Sequence, residues 1–318
     1  MPTSTMFQAA GTAALPQWGA SSSLSSPTES YCQCFSASDG SQCANCKLIS
    51  PFSPSVAWAK RNAHAAQPAL ATPADSTVDT HSEKNDDCPN RKPIIFLHGV
   101  GVGLLGYLPL IREIELRAAD RPLFLVEMPY VAMRLWEHIP TPFETAELIH
   151  AMLAQHSFSR AAFVGHSFGS ISVAWVRKLR PQIVDSIVLL DPVCLLLNYA
   201  KVAFNFVYKS PRASLRNGLN VMDWIISFCS TELSMSRTMH RHFWWYLNSL
   251  WAEELPTNTT IVLSAEDSLV PSCRVRRHLE LHAPHAQVHW LSGLDHAHFL
   301  MHPNETARIA ELIARRTA

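Results

Sequence analysis

From Arg91 onward the sequence predicts an α/β protein: a mostly parallel β-sheet with helices on both faces and a helical insertion over one end. Three observations lead there. Short continuous apolar runs such as Pro93–Leu97 and Ser186–Leu190 suit strands buried on both faces. Segments of helical spacing separate these runs, and strands joined by helices form parallel sheets through right-handed crossovers. The alternation breaks only once, over about residues 192–256, in a stretch rich in Leu, Phe and Trp with no clear strand pattern. One domain is therefore expected over residues 91–318, with the break read as a helical cap inside it. No internal repeat is visible.

Taken in order, Pro93–Leu97 is the first strand, ending at His98-Gly99, and a helix is expected over about Leu104–Ala118. Pro122–Met128 is the second strand, closed by Pro129. The next helix has a readable start, because Thr141 as N-cap, Pro142 at the first helical position and Glu144 three residues after the cap form a capping box. Ala146, Ile149, Met152 and Leu153 then keep helical spacing. Arg160–Val164 is the third strand, followed by a helix over Ser170–Leu179 that Pro181 stops. Ser186–Leu190 is the fourth. After the insertion come a strand at Thr259–Leu263, a helix over about Pro271–His282, a strand at Gln287–Leu291 and a closing helix over about Thr306–Arg316.

The 26 basic and 26 acidic side chains cancel, so no general attraction to nucleic acid or anionic membrane is implied. The longest apolar region, Ile183–Tyr208, contains Asp185, Asp191 and Lys201, which argues against a membrane-spanning helix. Residues 1–90 are rich in Ser, Ala, Thr and Pro and read as a disordered leader. The leader shares the scarcity of acids of a transit peptide but lacks arginine until Arg61, so the cellular address reads as cytoplasmic or plastid. Cys32, Cys34, Cys43 and Cys46 have a spacing that can close a zinc tetrahedron, yet the surrounding sequence has little to pack around a metal. Cys194, Cys229 and Cys273 are too sparse for a disulfide framework and read as reduced, buried thiols. Neither a metal nor a cofactor is called for.

The chemistry centres on Phe163-Val164-Gly165-His166-Ser167-Phe168-Gly169-Ser170, an apolar strand running through Gly-x-Ser-x-Gly into a helix. A serine on such a turn stands clear of the carboxyl end of its strand. It becomes a nucleophile only when a base takes its proton and an acid orients that base. His296 lies in the loop after the last strand and is the first choice for the base, with His298 second. Asp267 follows the strand that ends at Leu263 and is the first choice for the acid, ahead of Asp191 and then Glu266. Backbone N–H groups suit an oxyanion because they are fixed before charge develops. Phe168, directly after the serine, and Val100, in the His98–Gly103 loop, are the candidates, with His98 bracing that loop. Gly99-x-Gly101-x-Gly103 is not a dinucleotide fingerprint, since the spacing differs and Glu127 lies inside the next strand.

Together these residues resemble the α/β-hydrolase superfamily over about Arg91–Ala318. The stretches Phe96–Leu104 (Phe-Leu-His-Gly-Val-Gly-Val-Gly-Leu), Asn205–Tyr208, Leu294–Ala297 and Arg241–Trp245, with Leu250-Trp251, look like a little-characterised branch of these hydrolases found in fungi, plants and algae. The resemblance implies the α/β-hydrolase fold and cofactor-free serine hydrolysis of an ester or similar acyl bond. Trp224, Trp244, Trp245 and Trp251, with many Leu, Ile and Phe residues of the insertion, are candidate walls of an apolar pocket or else pack the insertion against the sheet, and a hydrophobic small-molecule substrate is expected. Acyl transfer to another acceptor by the same residues, or ligand binding without turnover, are the alternatives. Epoxide hydrolysis and dehalogenation use an aspartate where Ser167 stands and are disfavoured.

Overall fold

The computed structural model describes residues 92–208 and 221–317, with two short backbone segments before them, Cys46–Ile49 (β1) and Val56–Ala59 (β2). The expected disordered leader otherwise lies outside the described residues, as do the thiols of Cys32, Cys34, Cys43 and Cys46. Six further strands follow: β3 (Ile94–Leu97), β4 (Leu123–Val126), β5 (Ala161–His166), β6 (Val184–Leu190), β7 (Thr259–Ser264) and β8 (Gln287–Leu291). The sheet order is β1-β2-β4-β3-β5-β6-β7-β8. β3 to β8 are parallel, while β2 pairs antiparallel with β4 and β1 with β2. β1 and β2 are additions to the expected strands; four residues each carry too little periodicity to be read in a Ser- and Pro-rich context.

The apolar runs are two-faced, as a sheet covered on both sides requires. Ile95, Leu97, Phe163, Ile187, Leu189, Ile261 and Leu263 belong to one core cluster, and Ile94, Phe96, Val164, Val188, Leu190 and Val262 to the other. Helices α1 (Leu108–Arg117) and α7 (Pro303–Arg316) cover the second face. Helices α2 (Pro142–Gln155), α3 (Phe168–Leu179) and α6 (Ser272–His282) cover the first. The capping box of α2 forms: Glu144 N–H donates to Thr141 Oγ1, and Thr141 N–H donates to Glu144 Oε2. The segment expected to start a helix at Leu104 is instead a 3₁₀ turn, Gly103–Tyr107, that feeds into α1.

Between β6 and β7 the described residues form helices and turns: Ala200–Ala203 running into a π-turn at Phe204–Tyr208, then α4 (Val221–Thr231), α5 (Leu233–Arg241) and a turn at Trp245–Asn248. Trp175 Nε1 donates to Asn248 Oδ1 and Asn205 Nδ2 donates to the carbonyls of Ser268 and Leu269, so this segment is tied to α3 and to the loop after β7. Among the described residues no helix is long and apolar enough to cross a membrane. Cys194 and Cys229 are buried free thiols, whereas Cys273 is exposed on the first turn of α6, against the expectation of burial.

The chain runs from β3 outward to β4 and then returns across β3 to start β5. Strand order therefore reverses between β3 and β5, the place where open α/β sheets leave a crevice at the strand ends. Leu97 lies beside Gly165 in the register, so the loops that leave these two strands begin at the same level.

Candidate active site

Ser167 has φ 50° and ψ −116°, a conformation that a non-glycine residue holds only where its surroundings impose it. Those surroundings are specific. Its N–H donates to Leu190 O on β6, and its carbonyl accepts from the N–H and Oγ of Ser170. Ser170 Oγ in turn accepts from the N–H groups of Val193 and Cys194, fastening the turn to the loop after β6. A Cβ on Gly165 would lie 2.8 Å from Gly169 O, and one on Gly169 would lie 2.1 Å from Leu97 O, so both flanking glycines are required by contact.

Around this turn the structure brings together Ser167, His296 and Asp267. His296 Nε2 is 2.9 Å from Ser167 Oγ, and His296 Nδ1 is 2.8 Å from Asp267 Oδ2. The Asp267 side chain is fully enclosed, and its other oxygen accepts from the N–H groups of Leu269 and Val270. Burial opposes charge on His296, but the Asp267 carboxylate, with Asp191 and Asp295 nearby, outweighs it and holds the imidazole above its ordinary value.

The runner-up residues sit elsewhere. Glu266 is exposed, and His298 opens a short 3₁₀ turn, its N–H donating to Asp295 O. Asp191 is buried beside the pair, yet it holds backbone: Oδ1 accepts from Ser264 N–H, while Oδ2 accepts from Ser264 Oγ and Ala297 N–H. Burial, opposed in part by the His296 charge, leaves its carboxyl above the usual carboxylate range. Asp191, Asp267 and His296 have converging ligand atoms, but the bonds just described already engage them.

Val100 and Phe168 line the same cavity as Ser167, and neither backbone N–H has a hydrogen-bond partner among the described residues. In the loop after β3, Gly99 N–H donates to Tyr107 Oη and Gly101 N–H donates to Val131 O, which leaves the Val100 N–H between them free. Phe168 is the first residue of α3, and helix N-termini carry unpaired donors. His98 braces the loop: its Nε2 accepts from Met128 N–H and its Nδ1–H donates to Gly99 O. Burial drives its pKa down to about 4, consistent with a neutral ring.

Ser167 opens into a cavity of about 100 Å³. Phe168, Ile171 and Val193 line it together with Phe206, Met239 and Phe243 of the insertion. Apart from Ser167, every described lining residue is apolar. The four tryptophans expected as walls are absent from that lining. Trp224, Trp245 and Trp251 are exposed, and Trp244 borders a separate groove with Phe143 and Leu179. Ser170, Asn205 and Asp295 lie in stretches quoted from the sequence but were given no role there, and Tyr107 was not named at all. Asp295 Oδ1 accepts from Ser268 N–H and His296 N–H and so joins the acid loop to the histidine loop.

No family model and no curated protein matches the chain in sequence. Solved structures do resemble it. The meta-cleavage product hydrolase CumD from Pseudomonas fluorescens IP01 aligns with a TM-score of 0.52 at 18% identity, covering 71% of this chain and 90% of that one. The 2-hydroxy-6-oxo-6-phenylhexa-2,4-dienoate hydrolase BphD of Rhodococcus sp. strain RHA1 gives 0.51 at 16%, covering 71% and 92%. The chain has the α/β-hydrolase fold. An esterase of Thermogutta terrifontis gives 0.51 at 12% identity, covering 71% and 90%. Within the α/β-hydrolase fold, Ser167 occupies the turn after β5, Asp267 the loop after β7 and His296 the loop after β8.

Proposed function

We propose that the protein is a serine hydrolase that cleaves an ester or related acyl bond of an uncharged, hydrophobic small molecule. In this reading His296 Nε2 takes the proton of Ser167 Oγ as the oxygen attacks the acyl carbonyl. Asp267 holds the imidazole in the tautomer with Nδ1–H and favours its charged form as the proton arrives. The N–H groups of Val100 and Phe168 receive the negative oxygen of the tetrahedral intermediate. His296 then gives its proton to the leaving group, the acyl-serine forms, and a water activated by the same imidazole releases the acid. The observation that carries this reading is the unbroken chain from Ser167 through His296 to Asp267, with Ser167 lining an otherwise apolar cavity.

The cavity also informs the substrate. A dienoate such as the one that names the Rhodococcus hydrolase carries a carboxylate. No described residue lining the Ser167 cavity carries a positive charge, and burying an unpaired carboxylate costs several kcal/mol or more (~). An ester of a neutral acid fits the lining better. The test is a fluorophosphonate probe, which is expected to label the wild-type protein at Ser167 and to leave Ser167→Ala unlabelled. Equal labelling of the two would refute the assignment.

A further inference from the structure

Tyr107 belongs to no part of the proposed mechanism, yet its hydroxyl sits between the two segments that carry the free N–H groups. Its ring is buried, packed edge-on against Phe96 at 5.2 Å and against His166 at 5.4 Å between centroids. Gly99 N–H donates to Tyr107 Oη at 2.9 Å. Because that bond uses Oη as an acceptor, the hydroxyl proton is available to His166 Nδ1, which lies 2.6 Å away. Burial, with the neighbouring His296 and His98, favours the neutral His166 ring, and with Nδ1 accepting from Tyr107 its proton lies on Nε2, which is buried with no partner among the described residues.

Each end of this bridge is next to an oxyanion candidate. Gly99 directly precedes Val100, and His166 precedes Ser167 and Phe168. The fit is close: a Cβ on Gly99 would lie 2.9 Å from Tyr107 Oη, 2.9 Å from Ser167 Cβ and 3.0 Å from His166 Nδ1. Catalysis by fixed dipoles depends on such spacing, since a donor that must move during the reaction contributes less. We propose that Tyr107 is a positioning residue that sets the separation of the Val100 and Phe168 N–H groups by bridging Gly99 N–H to the His166 imidazole. The inference rests on the serine-hydrolase reading above. Tyr107 does not touch substrate; it acts through the loop after β3 and the turn after β5.

Tyr107→Phe removes only the hydroxyl and leaves the ring in place. Rates are to be normalised to the serine titrated to completion with fluorophosphonate, so that loss of folded protein does not count as loss of catalysis. With an ester substrate, kcat is expected to fall about 10- to 100-fold, less than or comparable to the loss of an oxyanion donor, while KM stays near wild type. Affinity for a boronic acid that forms a tetrahedral adduct on Ser167 should fall by a similar factor. His166→Leu breaks the bridge from its other end, and the double variant should be little worse than either single one. Wild-type kcat per titrated serine in Tyr107→Phe would overturn the proposal, as would strictly additive losses in the double variant. Turnover retained by Ser167→Ala would overturn the hydrolase reading itself, and this assignment with it.

Discussion

At the residue scale, the choice among carboxylates separates what a side chain is near from what it holds. Asp191 and Asp267 both lie beside His296, but Asp267 bonds the ring while Asp191 bonds Ser264 and the Ala297 backbone. With Asn in place of Asp267, the amide oxygen is expected to stay on the Leu269 and Val270 N–H groups, so that an NH2 rather than an acceptor faces His296 Nδ1. In the proposed mechanism kcat is expected to drop by about 10⁴-fold, with the protein still folded. The pH profile carries a second reading of the same bond. His296 acts as a base only when neutral, and Asp267, Asp191 and Asp295 hold its pKa above the ordinary 6.5, with neutral His166 on its other side. Wild-type kcat/KM should thus rise with pH through a midpoint above 6.5. Loss of the Asp267 charge should move the midpoint of the residual activity down. An unmoved midpoint would count against Asp267 as the charge that sets it.

At the scale of elements, the π-turn Phe204–Tyr208 does two things at once. Phe206 and Val207 line the cavity, while Asn205 between Phe204 and Phe206 is buried and donates to Ser268 O and Leu269 O. Those two residues follow Asp267 in the chain, so the insertion is anchored on the acid loop itself. Asn205→Ala leaves both carbonyls without that donor and is expected to cost about 1–3 kcal/mol of stability, measured by urea unfolding. A change within about 0.5 kcal/mol would place Asn205 among surface positions of little consequence. Unlike β1 and β2, the six parallel strands were readable in position, because continuous apolar runs mark strands buried on both faces. Their ends were less so: β5 continues to His166 and α3 begins at Phe168, leaving Ser167 alone in the turn. The role of Asn205 had no local signal, since its acceptors are 63 and 64 residues away.

At the scale of the molecule, described insertion residues and α3 together line a cavity of about 100 Å³ at Ser167. A cavity of about 150 Å³ lined by similar residues holds a benzene molecule, so this one suits a short chain of roughly four carbons. Each buried methylene contributes about 0.8 kcal/mol, or about fourfold in kcat/KM. A series of esters of neutral acids should gain by about that factor per carbon until the cavity is full, at about four carbons, and then lose activity. Continued gain to chains of about twelve carbons would show that the acyl group leaves by another route.

Residue patterns alone were enough to place Ser167, Asp267 and His296 after the carboxyl ends of three parallel strands, β5, β7 and β8, because strand-helix alternation is a local periodicity. They were also enough to predict a mostly parallel sheet with helices on both faces. Val100 and Phe168 were nameable from sequence, but only the tertiary structure showed that the N–H groups of Gly99 and Gly101 on either side of Val100 are taken up by Tyr107 and Val131. It likewise decided which of the expected aromatic and aliphatic residues line the cavity with Ser167: Phe206 and Phe243 do, with Met239, and the four tryptophans do not. The physical reason is common to both. Hydrogen-bond partners and cavity walls are set by which surfaces meet after the chain has folded, and aromatic content or spacing along the chain does not specify that meeting.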